Sequence, residues 1–198
     1  MEALKNEITG QMLPGDDIIT AGFIGLSGTK GLLLDAGSRS ALEGRFSKGF
    51  LDDALRACLN ESIADSAVSP GSVWEAAINA GAHALYALNE SGFLGGLWIM
   101  AEASETGLKL DLRSVPVLQY TIEFCEETGK DPYRLASGGA LLIAMPSGEQ
   151  FVSLLRRKGI SASVCGQADQ TNQRLLYSGD IVRYLDKPPK EYRPGRCL

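Results

Sequence analysis

Residues 131–146, DPYRLASGGALLIAMP, place a proline turn, a Ser-Gly-Gly step and an apolar run side by side. The run reads as a buried, central strand. Glycine beside a strand weakens it, so Gly138 and Gly139 mark a bend or a close approach by another backbone or a ligand.

The neighbouring segments set the order of elements. Upstream, SVPVLQYTIEFCEETG predicts a helix opening near Pro116, with Val117, Ile122 and Cys125 among its inward residues and Gly129 as its end. Downstream, SGEQFVSLLRRKG is an amphipathic helix whose basic end, Arg156 to Lys158, complements a helix C-terminus. ISASVCGQA is a strand, and RLLYSG with IVRYL a terminal hairpin.

Nearer the N-terminus, β-branched and aromatic residues predict a strand from Ile18 to Ile24, followed by a glycine-rich turn and a helix whose apolar face continues through Leu32, Leu33 and Leu34. SKGFLDDALRACLNES carries apolar residues at helical spacing behind a Ser47 cap. Ser72 and Glu75 form a capping box for a helix ended by Gly81. HALYAL is a short strand, GFLGGLWIMAEASETG a buried helix ended by Gly107, and LKLDL a strand. Helix-strand alternation with a final strand pair gives α+β with a mixed sheet.

Composition narrows the function classes. With 198 residues, 44% hydrophobic and 22% charged, the chain fits one globular domain. Its net charge is -5, and no long basic tract offers a nucleic-acid surface. The start lacks the pattern of a secretory signal, and no apolar run approaches about 20 residues, so the expectation is a soluble, cytoplasmic chain without membrane contact. Cys58, Cys125, Cys165 and Cys197 are far apart; the first three read as reduced core or surface thiols.

Few residues point to chemistry by themselves. GFIGLSGTKG has glycines at 22, 25 and 28 before a helix, where free N–H groups attract anions, yet the spacing is neither a dinucleotide fingerprint nor a Walker loop. A plain strand-to-helix turn is the alternative. His83 is the only histidine, which excludes a multi-histidine metal centre, and its apolar setting reads as core. The Asp16–Asp17 pair marks the start of a strand, and Asp52–Asp53 a solvated helix face.

Taken together, PGDDIITAGFIGLSGTKGLLLD, SGFLGGLWIMAEASETGLKLDL, DPYRLASGGALLIAMP and KGISASVCGQA resemble the C-terminal domain of the aminoimidazole ribonucleotide synthetase superfamily. The branch it most resembles is that of the hydrogenase-maturation, carbamoyl-dehydrating proteins. The likeness runs over residues 14–185, leaving 1–13 as an N-terminal extension and 186–198 as a C-terminal tail. It implies a three-layer α/β/α domain with a mixed sheet and partly ferredoxin-like topology.

The resemblance also implies an N-terminal domain that dimerises and supplies most of an ATP and magnesium site; this chain begins just before the corresponding linker. Where the family has a His-Asp-x-Thr-x-Gly-Gly type segment, the chain reads YALNESGF: Tyr86, Ala87 and Asn89 replace the acid and hydroxyl positions, leaving Glu90 and Gly92. Ala87 holds neither a proton nor a cation. The ligand-binding set implied is Gly25, Ser27, Gly28, Thr29, Asn89, Glu90, Gly92, Ser137, Gly138 and Gly139, which would hold a phosphorylated small molecule.

The expected function is therefore an accessory or phosphometabolite-binding module, not catalytic alone. The alternative is a subunit of an ATP-dependent enzyme related to hydrogenase maturation, with ATP and magnesium bound only alongside a separate N-terminal-type chain. A homodimer is expected too, because GFLGGLWIM and the strand faces that would meet a further domain need cover. In the hydrogenase-maturation branch a C-terminal cysteine carries a carbamoyl group, which makes Cys197 in RPGRCL a candidate carrier thiol, with Arg193 and Arg196 nearby to favour its thiolate, departing from the pattern by its terminal Leu198.

Overall fold

A computed structural model describes residues 8–61 and 72–189. In chain order it contains β1 (Thr9–Gly10), β2 (Asp17–Ala21), α1 (Leu26–Leu34), α2 (Ala36–Glu43), α3 (Lys48–Asn60), α4 (Val73–Asn79), β3 (Ala84–Ala87), α5 (Gly92–Ser104), β4 (Gly107–Asp111), α6 (Gln119–Thr128), β5 (Leu141–Met145), α7 (Gly148–Arg157), β6 (Ala162–Asp169), β7 (Arg174–Ser178) and β8 (Ile181–Tyr184). All eight strands join one sheet in the order β1-β3-β5-β2-β6-β4-β7-β8. Every pairing is antiparallel except β4 with β7.

The buried run from residue 140 is the strand that the sequence predicts. β5 lies between β3 and β2, and its side chains alternate between two cores because neighbouring strand residues face opposite sides. Leu142 and Ala144 join Ile18, Tyr86, Leu110 and the residues of α5. Leu141, Ile143 and Met145 join Ile19, Leu85, Val73 of α4 and Phe151, Val152 and Leu155 of α7. The result is α/β/α layering, with α5 on one face and α4 and α7 on the other. Beside it, α1, α2, α3 and α6 enclose a further cluster around Leu42, Leu51 and Phe124.

The helix signals act through identifiable hydrogen bonds. Ser47 accepts from the Phe50 N–H and Ser72 from the Glu75 N–H, each satisfying a donor at a helix start. Gly129 ends α6 in the left-handed region at φ 65. Arg156 and Arg157 occupy the last turn of α7.

Several expectations are corrected. α5 stops at Glu105, which itself turns left-handed at φ 56; Gly107 instead opens β4, where an added Cβ would come 2.4 Å from the Thr171 carbonyl oxygen. α6 starts at Gln119, so Thr121, Phe124 and Cys125 face inward while Ile122 is exposed. Leu34 is also exposed. β2 ends at Ala21, and Ile24 makes only an isolated bridge to Val117.

α2 and β1 have no counterpart in the sequence reading. Residues 8–13, expected as an extension, form part of the domain: Thr9 pairs with Leu85, and Ile8 and Met12 are buried. GFLGGLWIM, expected to need a partner's cover, is buried within the chain.

Candidate functional site

The question raised by Gly138 and Gly139 has a structural answer. The object approaching the Ser-Gly-Gly step is the 22–29 turn. Ser137 Oγ accepts from the Gly25 N–H at 2.9 Å and donates to the Leu135 carbonyl at 2.8 Å. The Gly138 N–H donates to Ser27 Oγ at 2.8 Å, and the Gly28 N–H to the Ala136 carbonyl at 2.9 Å. Thr29 Oγ1 lies 2.8 Å from both the Gly25 carbonyl and Thr121 Oγ1. Glycine is required here by space as well as conformation: a Cβ on Gly28 would come 2.3 Å from Leu135 Cγ. Gly25 and Gly139 have φ of 74 and 103.

The third strand of this knot is the segment after β3. The Asn89 carbonyl accepts from Ser137 N at 3.0 Å and Gly92 N at 3.1 Å. Its side chain accepts from the N–H and hydroxyl of Ser91, each at 2.9 Å, and donates to the Tyr86 hydroxyl at 2.9 Å. Gly92, at φ 70, lies against the Arg134 carbonyl, 2.6 Å from where a Cβ would be. The ten residues of the implied ligand set therefore converge, and the Gly25, Gly28 and Gly138 N–H groups and the Ser137 hydroxyl are engaged with one another's loops.

What this knot leaves open is its rim. Glu90, Lys130, Asp131, Arg134, Leu135 and Ala136 line a cleft of about 340 Å³. Glu90 alone belongs to the sequence-derived set. Arg134 is held by Asp186 at 3.0 Å and by Asp131 at 3.6 Å. Lys130, just past the end of α6, makes no ion pair among the described residues. The missed signal is local: KDPYR concentrates charge between a helix stop at Gly129 and the Ser-Gly-Gly step.

Other candidates resolve individually. His83 is not a core side chain: it is 38% exposed, and its Nδ1 lies 2.8 Å from the buried Asp16 carboxylate. Asp16 also accepts from the Leu13 N–H, and Asp17 from the Gly148 N–H at the start of α7. Cys58, Cys125 and Cys165 are free buried thiols, each pushed up to about 11 chiefly by burial, which disfavours the thiolate. Cys197 lies outside the described residues. Among the described residues no three His, Cys, Asp or Glu side chains gather as a metal ion requires. No described helix is long and apolar enough to cross a membrane.

The sequence profile of the family described as AIR synthase related protein, C-terminal domain, matches residues 73–177. The carbamoyl dehydratase HypE of Rhodobacter capsulatus is 28% identical over 119 residues, which cover 56% of this chain and 34% of that protein. Among solved structures, the hydrogenase maturation protein HypE of E. coli superposes with a TM-score of 0.69 at 22% identity, over 91% of this chain and 52% of that one. The thiamine monophosphate kinase of Aquifex aeolicus gives a TM-score of 0.61 at 17% identity, over 90% and 54%. The chain thus spans about a third of the curated relative and about half of each of these solved structures.

Proposed function

Because the chain belongs to the AIR synthase related C-terminal domain family, we propose that it is an accessory, ligand-holding module that takes a phosphorylated small molecule in the cleft between Glu90 and Lys130. The observation carrying this reading is Lys130: a cation without an ion pair among the described residues, on the rim of a cleft beside the knot of glycine loops. A phosphate there gains the ammonium as a point charge. Arg134 adds a planar fork once it trades Asp131 or Asp186 for the ligand. Glu90 accepts a hydroxyl or amine of the same molecule. Structures sharing this fold include HypE in complex with ATP and ThiL with AMPPCP and TMP, which supports a phosphorylated ligand class.

The knot positions these groups. Its buried hydrogen bonds fix Ala136 and Leu135 against the 22–29 turn, so the rim residues project from a backbone that has little freedom. Ala87 supplies no carboxylate for proton or cation chemistry, so on this reading the module holds its ligand and does not transform it alone. Calorimetric titration with inorganic phosphate and with ATP tests the reading. Saturable binding weakened at least fivefold by Lys130→Ala is expected; binding indifferent to Lys130 would remove the basis of the proposal.

A second reading has its own support. The chain covers about half of the HypE structures, one of them a HypE-HypF complex. On that reading it is a subunit of an ATP-dependent enzyme related to hydrogenase maturation, completed by a separate N-terminal-type chain that brings ATP and magnesium. Co-purification with such a chain, and ATP turnover only by the mixture, distinguishes it from the accessory role.

A further inference from the structure

A second cavity, of about 360 Å³, lies at the far end of the sheet, under β8. Its walls are apolar side chains of Leu112, Tyr133, Leu176 and Ile181, and its two charged residues are Asp131 and Arg183. The elements that build it follow from strand register. Leu176 pairs with Arg183 and Ser178 with Ile181, so Arg183 and Ile181 share the face of β8 on which Leu176 is buried. The Tyr133 hydroxyl donates to the Leu112 carbonyl at 3.0 Å, which turns its polar tip into the backbone and leaves ring surface as wall. Burial raises the pKa of this phenol and so keeps the donor protonated.

The charges in the cavity are not equivalent. Asp131 accepts from the Tyr133 N–H at 2.9 Å and faces Arg134 at 3.6 Å. Nearby Arg113 is tied to Asp111 at 3.1 Å. Arg183 has no ion pair among the described residues. With Asp131 directed to Arg134, a largely apolar pocket with one guanidinium that has no ion pair among the described residues fits a ligand with an apolar body and a single carboxylate, which the planar fork receives with two parallel hydrogen bonds.

We propose that the cavity bounded by Leu112, Tyr133, Leu176, Ile181 and Arg183 is a binding site for a small apolar monocarboxylate, sharing with the Lys130 cleft only the wall residue Asp131. Ile181 is 68% exposed at its mouth, so a ligand that covers it removes from water an apolar surface that the fold leaves uncovered. The occupant is a free small molecule. A carboxylate at a peptide C-terminus shares this chemistry and is separated from it by the experiment.

The test is titration of the full chain with 3-phenylpropanoate and 4-methylpentanoate, each beside its primary amide, and with a short peptide ending in phenylalanine. Saturable binding of the acids, at least tenfold weaker for the amides, is expected. Arg183→Gln should weaken the acids at least tenfold with an unchanged melting temperature, Arg183→Lys should weaken them less, and Ile181→Glu should abolish binding through like charge at the mouth. Lys130→Ala should leave acid binding unchanged, which separates this site from the cleft. Equal affinity for acid and amide, no saturable binding of either acid, loss with Lys130→Ala instead of Arg183→Gln, or binding of the peptide alone would each overturn the proposal.

Discussion

The two ends of the sheet are built on opposite terms. Where β3, β5, β2 and β6 lie together, both faces are covered: Ile18 and Leu142 point into the α5 core, Ile19 and Ile143 into the α4–α7 core. Where β7 and β8 continue the sheet, Leu176 is buried on one face, but the other carries half-buried Leu175 and Tyr177 and exposed Val182 and Tyr184. Those four residues are cross-strand partners, Leu175 with Tyr184 and Tyr177 with Val182. The first end spends its apolar side chains on the interior. The second leaves them in water, beside a cavity lined by Arg183, which has no ion pair among the described residues, so this end of the sheet buries less of its apolar surface than the first.

The contrast is sharpened most by removing buried volume at the closed end. Leu142→Ala should cost about 2–5 kcal/mol in a denaturant titration, through lost burial and the cavity left between β5 and α5. A loss equal to that of an exposed position would mean that the closed end is not tightly packed.

Next comes backbone contact. An added Cβ on Gly166 in β6 would lie 2.1 Å from the Lys109 carbonyl oxygen, so Gly166→Ala should cost roughly 1–3 kcal/mol as β4 and β6 are forced apart, measured by the same unfolding curve. Ser137→Ala leaves the Gly25 N–H without its acceptor and should cost about 1–3 kcal/mol. It should also loosen the cleft, read as faster amide exchange in residues 22–29; an unchanged exchange pattern would deny the loop knot its role.

The thiols give a pH test in a Cys197→Ser background. Cys58, Cys125 and Cys165 keep their protons in the folded chain up to about 11, against an ordinary value of 9.0. Unfolded thiols therefore ionise first, and stability present below about 9 is lost as pH rises through 9 toward 11. The melting temperature should fall across that window, and less steeply after Cys165→Ala. The smallest effect is expected at the open end: Val182→Thr should change stability by less than about 0.5 kcal/mol, because the side chain already faces water.

The sequence was most informative where one physical cause acts alone. The unbroken apolar run at 140–145, the Ser47 and Ser72 caps and the Gly129 stop are local signals, and each appears at its expected position. Legibility fell where tertiary contacts choose. The left-handed end of α5 falls on Glu105, a residue with no such preference, while Gly107 is needed for a close strand contact. β1 is two residues long and exists only because β3 offers it an edge.

The site was legible in the same divided way. Glycine and serine positions marked where a close approach occurs, since it demands small residues, but left open whether a ligand or the 22–29 turn makes it. The rim did not follow, because Lys130, Asp131 and Arg134 look like any charged turn until the fold places them beside Glu90. His83 shows the converse: its apolar neighbours in sequence conceal a partner, Asp16, that lies 67 residues away.

The outermost described segments share one support. Met12 N–H donates to Ser104 Oγ at 2.9 Å near the end of α5, while Lys187 Nζ stands 5.0 Å from the Trp98 ring centre and Pro188 lies beside Gly95 near its beginning. At about 1.5 Å of rise per residue, positions 95 and 104 are roughly 14 Å apart along the helix. A short linker could bridge these two segments in a circular permutant cut at the β7–β8 turn, whose assembly would ask whether the domain needs its strands in their native order of synthesis.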